Sequence, residues 1–224
     1  MRAVRMLARM SMTASSLASS RPSRQGFVDF IDVPELGFLS VTGRGAPYAA
    51  AFTEAVGALY SVSHSVQRLL MQRHGTAPRM QRLEALWWTG DEDPQPLVRV
   101  AAAAETATMA GDPATWCWQA MIRQPDPIDA RVVAQALHPA RAPRVPALDS
   151  VRYIRWTEGP CAQVVHVGPY SEKAPTIARL HEAIAEAGRR PRGRHHELYI
   201  GDPRRSDPDR LRTVLRRPVE PACP

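Results

Sequence analysis

The stretch Arg194-His195-His196-Glu197-Leu198-Tyr199-Ile200-Gly201-Asp202-Pro203-Arg204-Arg205 decides how this chain is read, because an earlier segment echoes it. Leu83-Glu84-Ala85-Leu86-Trp87-Trp88 has the same layout, one carboxylate set in a short apolar and aromatic run. Strand residues alternate between faces. Glu84 therefore shares a face with Leu86 and Trp88, and Glu197 shares one with His195 and Tyr199. A carboxylate among aromatics on a mostly buried strand costs on the order of 2–7 kcal/mol unless something pairs with it. Two such positions in matching contexts predict a duplicated fold with a pocket between its halves.

The flanking pattern repeats as well. In the first half, Phe27–Gly43 reads as a strand pair or one long bent strand about Pro34-Glu35-Leu36-Gly37. Ala49–His74 has helical periodicity and is stopped by Gly75. Arg82–Trp88 and Thr115–Arg123 are strands, separated by the polar, Ala-rich excursion Thr89–Pro113. Asp129–Leu137 is a short helix, and Pro139, Pro143 and Pro146 punctuate an extended connector. In the second half, Val151–Trp156 and Cys161–Val167 form a strand pair around Glu158-Gly159-Pro160. Thr176–Ala187 is an amphipathic helix, His195–Ile200 a strand, Asp207–Arg212 a helical turn and Thr213–Val219 a strand. The order strand pair, helix, strand, strand occurs twice, so the expected class is α+β, with two sheets, helices outside and a cleft inside. The expected organisation is a disordered leader over 1–25, a domain over 26–219 and a tail over 220–224. Within the domain the modules cover about 26–126 and 150–219, and a Pro-rich connector covers 138–149.

Composition narrows the function classes. The 224 residues carry a formal charge of +7, but Arg2, Arg5, Arg9, Arg21 and Arg24 of the leader supply +5 of it with no acidic residue among them. The body is near +2, which argues against specific nucleic-acid binding. Lys173 is the only lysine among 29 basic residues, which reads as genomic base composition. Cys117, Cys161 and Cys223 are odd in number and widely spaced, so they read as buried or free thiols of a cytoplasmic protein. No apolar run reaches the ~18 residues of a membrane span. His195 and His196 face opposite ways on one strand, and His196-Glu197-Leu198-Tyr199-Ile200 lacks the second His of a zinc-hydrolase helix, so no metal and no cofactor are expected. The absence of Gly-x-Ser-x-Gly and of a phosphate-binding Gly-rich loop removes serine hydrolases and nucleotide binders.

Five motifs fall in one order: Glu84-Ala85-Leu86-Trp87-Trp88, Trp116-Cys117-Trp118-Gln119-Ala120-Met121-Ile122, Gln124-Pro125-Asp126, His166-Val167-Gly168-Pro169-Tyr170-Ser171-Glu172, and the stretch from His195 to Arg205. Together they resemble the GyrI-like small-molecule-binding family, and within it the stand-alone branch without a DNA-binding domain. The resemblance implies two strand-helix-strand-strand modules around a central ligand pocket lined by aromatics and carrying an acidic residue. It implies for this branch a hydrolase that opens the cyclopropane of DNA-alkylating cyclopropanoid natural products, a detoxification or antibiotic-resistance role. Other members of the family sense drugs or inhibit gyrase, so a multidrug-binding or gyrase-modulating module is the alternative. The chain departs from the family pattern at Ala85, where the pattern has Gly, and in its longer Thr89–Pro113 insertion.

Under that resemblance the candidate site residues take roles. Glu197 is a general base for water or a counter-ion for a cationic ligand, against the plainer reading of an exposed strand Glu or one paired with Arg194. Glu84 carries the same two readings, and Glu84 or Tyr170 is the donor that protonates the opening ring. Two carboxylates in one apolar cleft separate in pKa, one ionised and one neutral. Trp88, Trp118 and Tyr199 are either stacking walls for a flat aromatic ligand or ordinary core. His166 is a pocket residue or, more in keeping with its apolar strand, a satisfied core histidine. The expected partner is a small aromatic or cationic ligand, with no membrane and no specific nucleic acid.

Overall fold

A computed structural model describes residues 26–89, 112–138, 145–202 and 205–222. The leader, nearly all of the Thr89–Pro113 excursion, and residues 139–144 of the connector lie outside the described residues. Seven strands and three α-helices are described: β1 (Asp29–Arg44), α1 (Ala50–His74), β2 (Leu83–Trp88), β3 (Cys117–Gln124), α2 (Ala130–Ala136), β4 (Arg152–Val167), α3 (Ala174–Glu186), β5 (Arg189–Pro191), β6 (His195–Tyr199) and β7 (Arg212–Pro221). Local chemistry sets the helix ends. Asp129 caps α2 by accepting from the backbone N–H of Arg131 and Val132, worth about 0.5–2 kcal/mol. The Gly75 N–H closes α1 on the Met71 carbonyl. No described helix is long and apolar enough to cross a membrane.

The two expected sheets are one. The strands follow the order β4-β1-β3-β2-β6-β7-β5, and β4 also pairs with β7, so six strands close into a barrel and β5 hangs on β7. The expected turns at Pro34–Gly37 and Glu158–Pro160 are absent, and each long strand runs through without reversing. The reason is that the two interruptions lie opposite one another. Val33 and Glu35, either side of Pro34, pair with Gly159 and Thr157. Proline withholds a donor and Gly159 takes a φ of +72°, so the two strands bend at one place while the ladder continues around the bend. Each long strand thereby joins both modules: β1 and β4 pair with one another through Asp29–Ser40 of β1, while β1 also pairs with β3 of its own module through Gly37–Arg44 and β4 with β7 of its own through Cys161–Val167.

Cross-strand partners share a face, so the registers divide the barrel into an outer, helix-bearing side and an interior. One outer row runs Val41, Ala120, Ala85, Glu197, Leu215, Val164. The first three lie in the cluster beneath α1, with Leu39, Phe52, Leu59, Trp87 and Trp118. The last two lie in the cluster beneath α3, with Leu180 and Ile184. The corresponding interior row is Gln119, Leu86, His196, Arg216, Gln163. The interior also holds an apolar cluster of Phe38, Leu86, Trp88, Cys117 and Met121. Cys117 and Cys161 are buried thiols rather than halves of a disulfide, and burial pushes the Cys161 thiol far up.

Candidate functional site

Glu197 stands where the two helix layers meet. Its row places Ala85 of the first module on one side and Leu215 of the second on the other, so its carboxylate faces the seam between α1 and α3. The turn that leads into α3 closes over it. Lys173, the residue before α3, puts Nζ 2.5 Å from Glu197 Oε2. The side chains are only 13 % and 8 % exposed, so this is an enclosed ion pair, which water screens far less than a surface one. Lys173 Nζ also lies 4.5 Å from the centre of the Tyr170 ring and 5.6 Å from that of Tyr199. The two tyrosines meet edge to face, with ring centres 5.7 Å apart. Tyr199 Oη in turn accepts from Trp87 Nε1 at 3.0 Å, and His195 Nε2 is 3.4 Å from Glu197 Oε1.

Electrostatics follow from these contacts. Burial pushes the Glu197 carboxyl up, but the Lys173 ammonium and then His195 hold it down at about 2. Glu197 is thus ionised throughout the neutral range. Burial raises the Tyr170 hydroxyl above its ordinary value, and the charges of Glu197 and Asp202 raise it further. Burial and the Glu197 charge push Tyr199 the same way. The seam therefore offers one ionised carboxylate, one ammonium and phenolic donors that keep their protons.

His166 supports this arrangement from beneath. Its Nδ1 is 3.0 Å from Thr176 Oγ1 and its Nε2 is 3.1 Å from the Pro169 carbonyl, so both ring nitrogens are engaged in pinning the turn that carries Tyr170 and Lys173. Trp118 is core. It packs edge to face on Phe52 of α1, 5.1 Å between ring centres, and it approaches the backbone at Gly43, where a Cβ would lie 2.4 Å from Trp118 Cζ2.

Glu84 is not part of this site. It pairs with Leu198 in register, one step from the Ala85–Glu197 pair, and so faces the barrel interior. The expectation of two carboxylates in one cleft is corrected: the sheet lies between them. Trp88 also faces the interior, with the Arg194 guanidinium 3.5 Å over its ring. Arg192, two residues before Arg194, donates to the Val219 and Glu158 carbonyls.

The interior carries its own charge network. His196 Nδ1 is 2.9 Å from Glu158 Oε1 and Nε2 is 3.1 Å from Glu84 Oε2. Arg216 donates through Nη1 to Glu158 Oε2 at 2.9 Å, and through Nε and Nη2 to Gln163 Oε1 at 3.1 and 3.0 Å. Two carboxylates thus balance two cations. Burial opposes charge on both central groups, yet Glu158 and Glu84 bring the His196 imidazole up to about 9, and His196 and Arg216 bring Glu158 down to about 2. Among the described residues no cluster of three or more His, Cys, Asp or Glu is arranged to hold a metal ion.

Sequence reasoning missed Lys173 and Glu158. Glu158 sat in a Glu-Gly-Pro run that imitates a turn. Lys173 did leave a signal, as the single lysine in a chain whose other 28 basic residues are arginine.

The GyrI-like small-molecule-binding domain matches residues 27–220. The chain belongs to the GyrI-like family. Its fold is that of the family, α+β with duplicated modules. It resembles the crystal structure of an uncharacterized conserved protein from Listeria innocua, with 31 % identity, a TM-score of 0.74, and 88 % of this chain and 94 % of that one covered. A hydrolase from Listeria innocua is 29 % identical, with a TM-score of 0.73, 92 % of this chain and 97 % of that one covered. The C-terminal domain of EcmrR shares the fold at 11 % identity and a TM-score of 0.54, covering 88 % of this chain and 98 % of that one. No match to a curated protein is found. A GyrI-like domain binds small molecules, and two of the similar structures are of Listeria innocua proteins named hydrolases.

Proposed function

We propose that this GyrI-like protein is a hydrolase that opens the cyclopropane of DNA-alkylating cyclopropanoids, protecting its host from them, with Glu197 and Tyr170 as its catalytic groups. The observation that carries the reading is an ionised, enclosed carboxylate at the seam between the two modules, held beside two tyrosine rings.

The chemistry asks little of the protein. A spirocyclopropane fused to a cyclohexadienone is strained and gains an aromatic ring on opening. A water oxygen forms a bond to the cyclopropane methylene, the methylene–ring carbon bond breaks, and its electron pair moves through the ring to the dienone oxygen. Glu197 accepts a hydrogen bond from the water and takes its proton as the carbon–oxygen bond forms, when that proton becomes far more acidic than a carboxylic acid. Tyr170 donates to the dienone oxygen as negative charge gathers there, and its raised hydroxyl pKa keeps the donor protonated. The product is a phenol bearing a hydroxyalkyl group, and the proton on Glu197 returns to the phenolate of Tyr170 through solvent. Tyr199, whose hydroxyl accepts from Trp87 Nε1, supplies flat aromatic surface beside the carboxylate.

Product is followed by mass after mixing the protein with a neutral cyclopropanoid. Turnover well beyond one equivalent is expected, and Glu197→Gln should lower it by roughly 10²–10⁴-fold, the usual worth of a positioned base. Protection that stops at one equivalent would make the protein a sequestering module instead, and wild-type rates in Glu197→Gln would remove the catalytic assignment.

A further inference from the structure

The seam contains the elements of a cation receptor, and a cation already occupies it. A carboxylate flanked by electron-rich rings attracts a lipophilic cation through charge pairing and cation–π contact. Here the ammonium of Lys173 holds that position, 2.5 Å from Glu197 Oε2, 4.5 Å from the Tyr170 ring centre and 5.6 Å from the Tyr199 ring centre. We propose that Lys173 is a built-in occupant of the cation seat, so that the protein discriminates against cationic ligands and admits neutral aromatic ones. The inference rests on the seam being the ligand site, as in the function proposed above, and adds which class of ligand enters it.

Three features of the chain support the assignment. The seat is filled by a lysine, a compact point charge on a flexible stem, and this is the only lysine in the sequence. The position is fixed, because the turn preceding Lys173 is pinned by both nitrogens of His166. The pair is also enclosed, so an incoming cation meets a carboxylate whose charge is cancelled and an ammonium that repels it at short range, with little solvent between them to screen the repulsion. A neutral aromatic ligand meets no such penalty and keeps the contact with the tyrosine rings.

The test compares two probes of similar shape, tetraphenylphosphonium and neutral triphenylphosphine oxide, by equilibrium binding to wild type, Lys173→Met and the double variant Lys173→Met/Glu197→Gln. Lys173→Met should bind the cation at least tenfold tighter than wild type while its affinity for the neutral probe stays within about threefold, the gain corresponding to a freed charge and ring contact. The double variant should lose the gain. Lys173→Gln repeats the measurement with a polar side chain in case methionine perturbs the turn, and thermal melting verifies that each variant is folded. A cation affinity in folded Lys173→Met and Lys173→Gln no better than wild type overturns the proposal, as does a gain that survives in the double variant. The wild-type protein gives an independent reading. Acetic anhydride should modify the single lysine side chain slowly, and millimolar tetraphenylphosphonium should speed that modification by expelling the ammonium, whereas an unchanged rate at a concentration where the cation is bound counts against it. Failure here with loss of turnover in Glu197→Gln leaves the hydrolase reading standing, and the reverse pattern leaves the seat without the enzyme.

Discussion

Glu84 and Glu197 stand on paired strands one residue out of step, Glu84 opposite Leu198 and Glu197 opposite Ala85, and they face opposite sides of the sheet. Their echo in the sequence therefore serves two different ends. Glu197 faces the seam and Lys173, while Glu84 faces the barrel interior and His196.

This separation sets the first expectation. Glu84→Gln should cost about 1–3 kcal/mol of stability by leaving the buried His196 short of one charged partner, and turnover per folded molecule should stay within about threefold of wild type. Denaturant titration and steady-state kinetics on the same preparation check both halves. A loss of turnover matching that of Glu197→Gln would mean that the two carboxylates act together.

The pH dependence of stability follows from the interior network. His196 sits at about 9 in the folded protein against an ordinary 6.5. Its contribution is therefore complete below pH 6.5 and is lost as the pH rises through 9. Glu158 and Glu197 sit at about 2 against an ordinary 4.5, so their contribution is present above 4.5 and lost as the pH falls through 2. The melting temperature should be highest between pH 4.5 and 6.5. It should then fall toward pH 9 by roughly 5–10 °C, the scale of a loss of about 3 kcal/mol in a domain this size. His196→Gln should flatten the alkaline limb, and an alkaline limb as steep in that variant as in wild type would assign the loss to other groups.

A third expectation concerns the core beneath α1. A methyl group at position 43 would lie 2.4 Å from the buried Trp118 ring, and neither the strand nor the helix above can yield easily. Gly43→Ala should destabilise the protein by roughly 1–3 kcal/mol, read by urea midpoint, without changing the affinity of a ligand bound at the seam. Unchanged stability would show that Trp118 has room to move, and with it room to act as a pocket wall.

What the sequence made legible was periodic. Alternation along Leu83–Trp88 and His195–Tyr199 sets Trp87 on the face opposite Trp88 and Tyr199 on the face of Glu197, and the contacts of Trp87 with Phe52 and Tyr199 agree. Helix limits were legible from Gly75 and Asp129, which act through local hydrogen bonds. Closure of the barrel was not. It depends on Pro34 lying opposite the bend near Gly159, more than 120 residues away, and each proline or glycine read alone suggests a turn. The site was half legible. Residue identity marks Glu197 as costly to bury, but its partner Lys173 lies 24 positions earlier in the chain, and no strand or helix period connects them. Glu84 misled for the same reason: the pattern fixes which neighbours share its face, and register between strands fixes which face that is.

The last expectation tests the catalytic pair through the pH dependence of the rate. Two carboxylates sharing a cleft, one ionised and one protonated, would give a bell-shaped profile with its limbs in the acid range. The seam arrangement differs. Glu197 is already ionised down to about 2, and the Tyr170 hydroxyl loses its proton only above its ordinary 10. Both groups are therefore in their working forms from about pH 4.5 to 8.5, a range over which the fold also holds. The enzyme-dependent rate, after subtraction of the uncatalysed opening, should be level across that range. Tyr170→Phe should keep the level shape and lower kcat by about 10²–10³-fold, the worth of one donor to a developing oxyanion, with little change in KM because the ring remains. An inflection within that range would overturn the assignment, because neither Glu197 nor Tyr170 changes its protonation there.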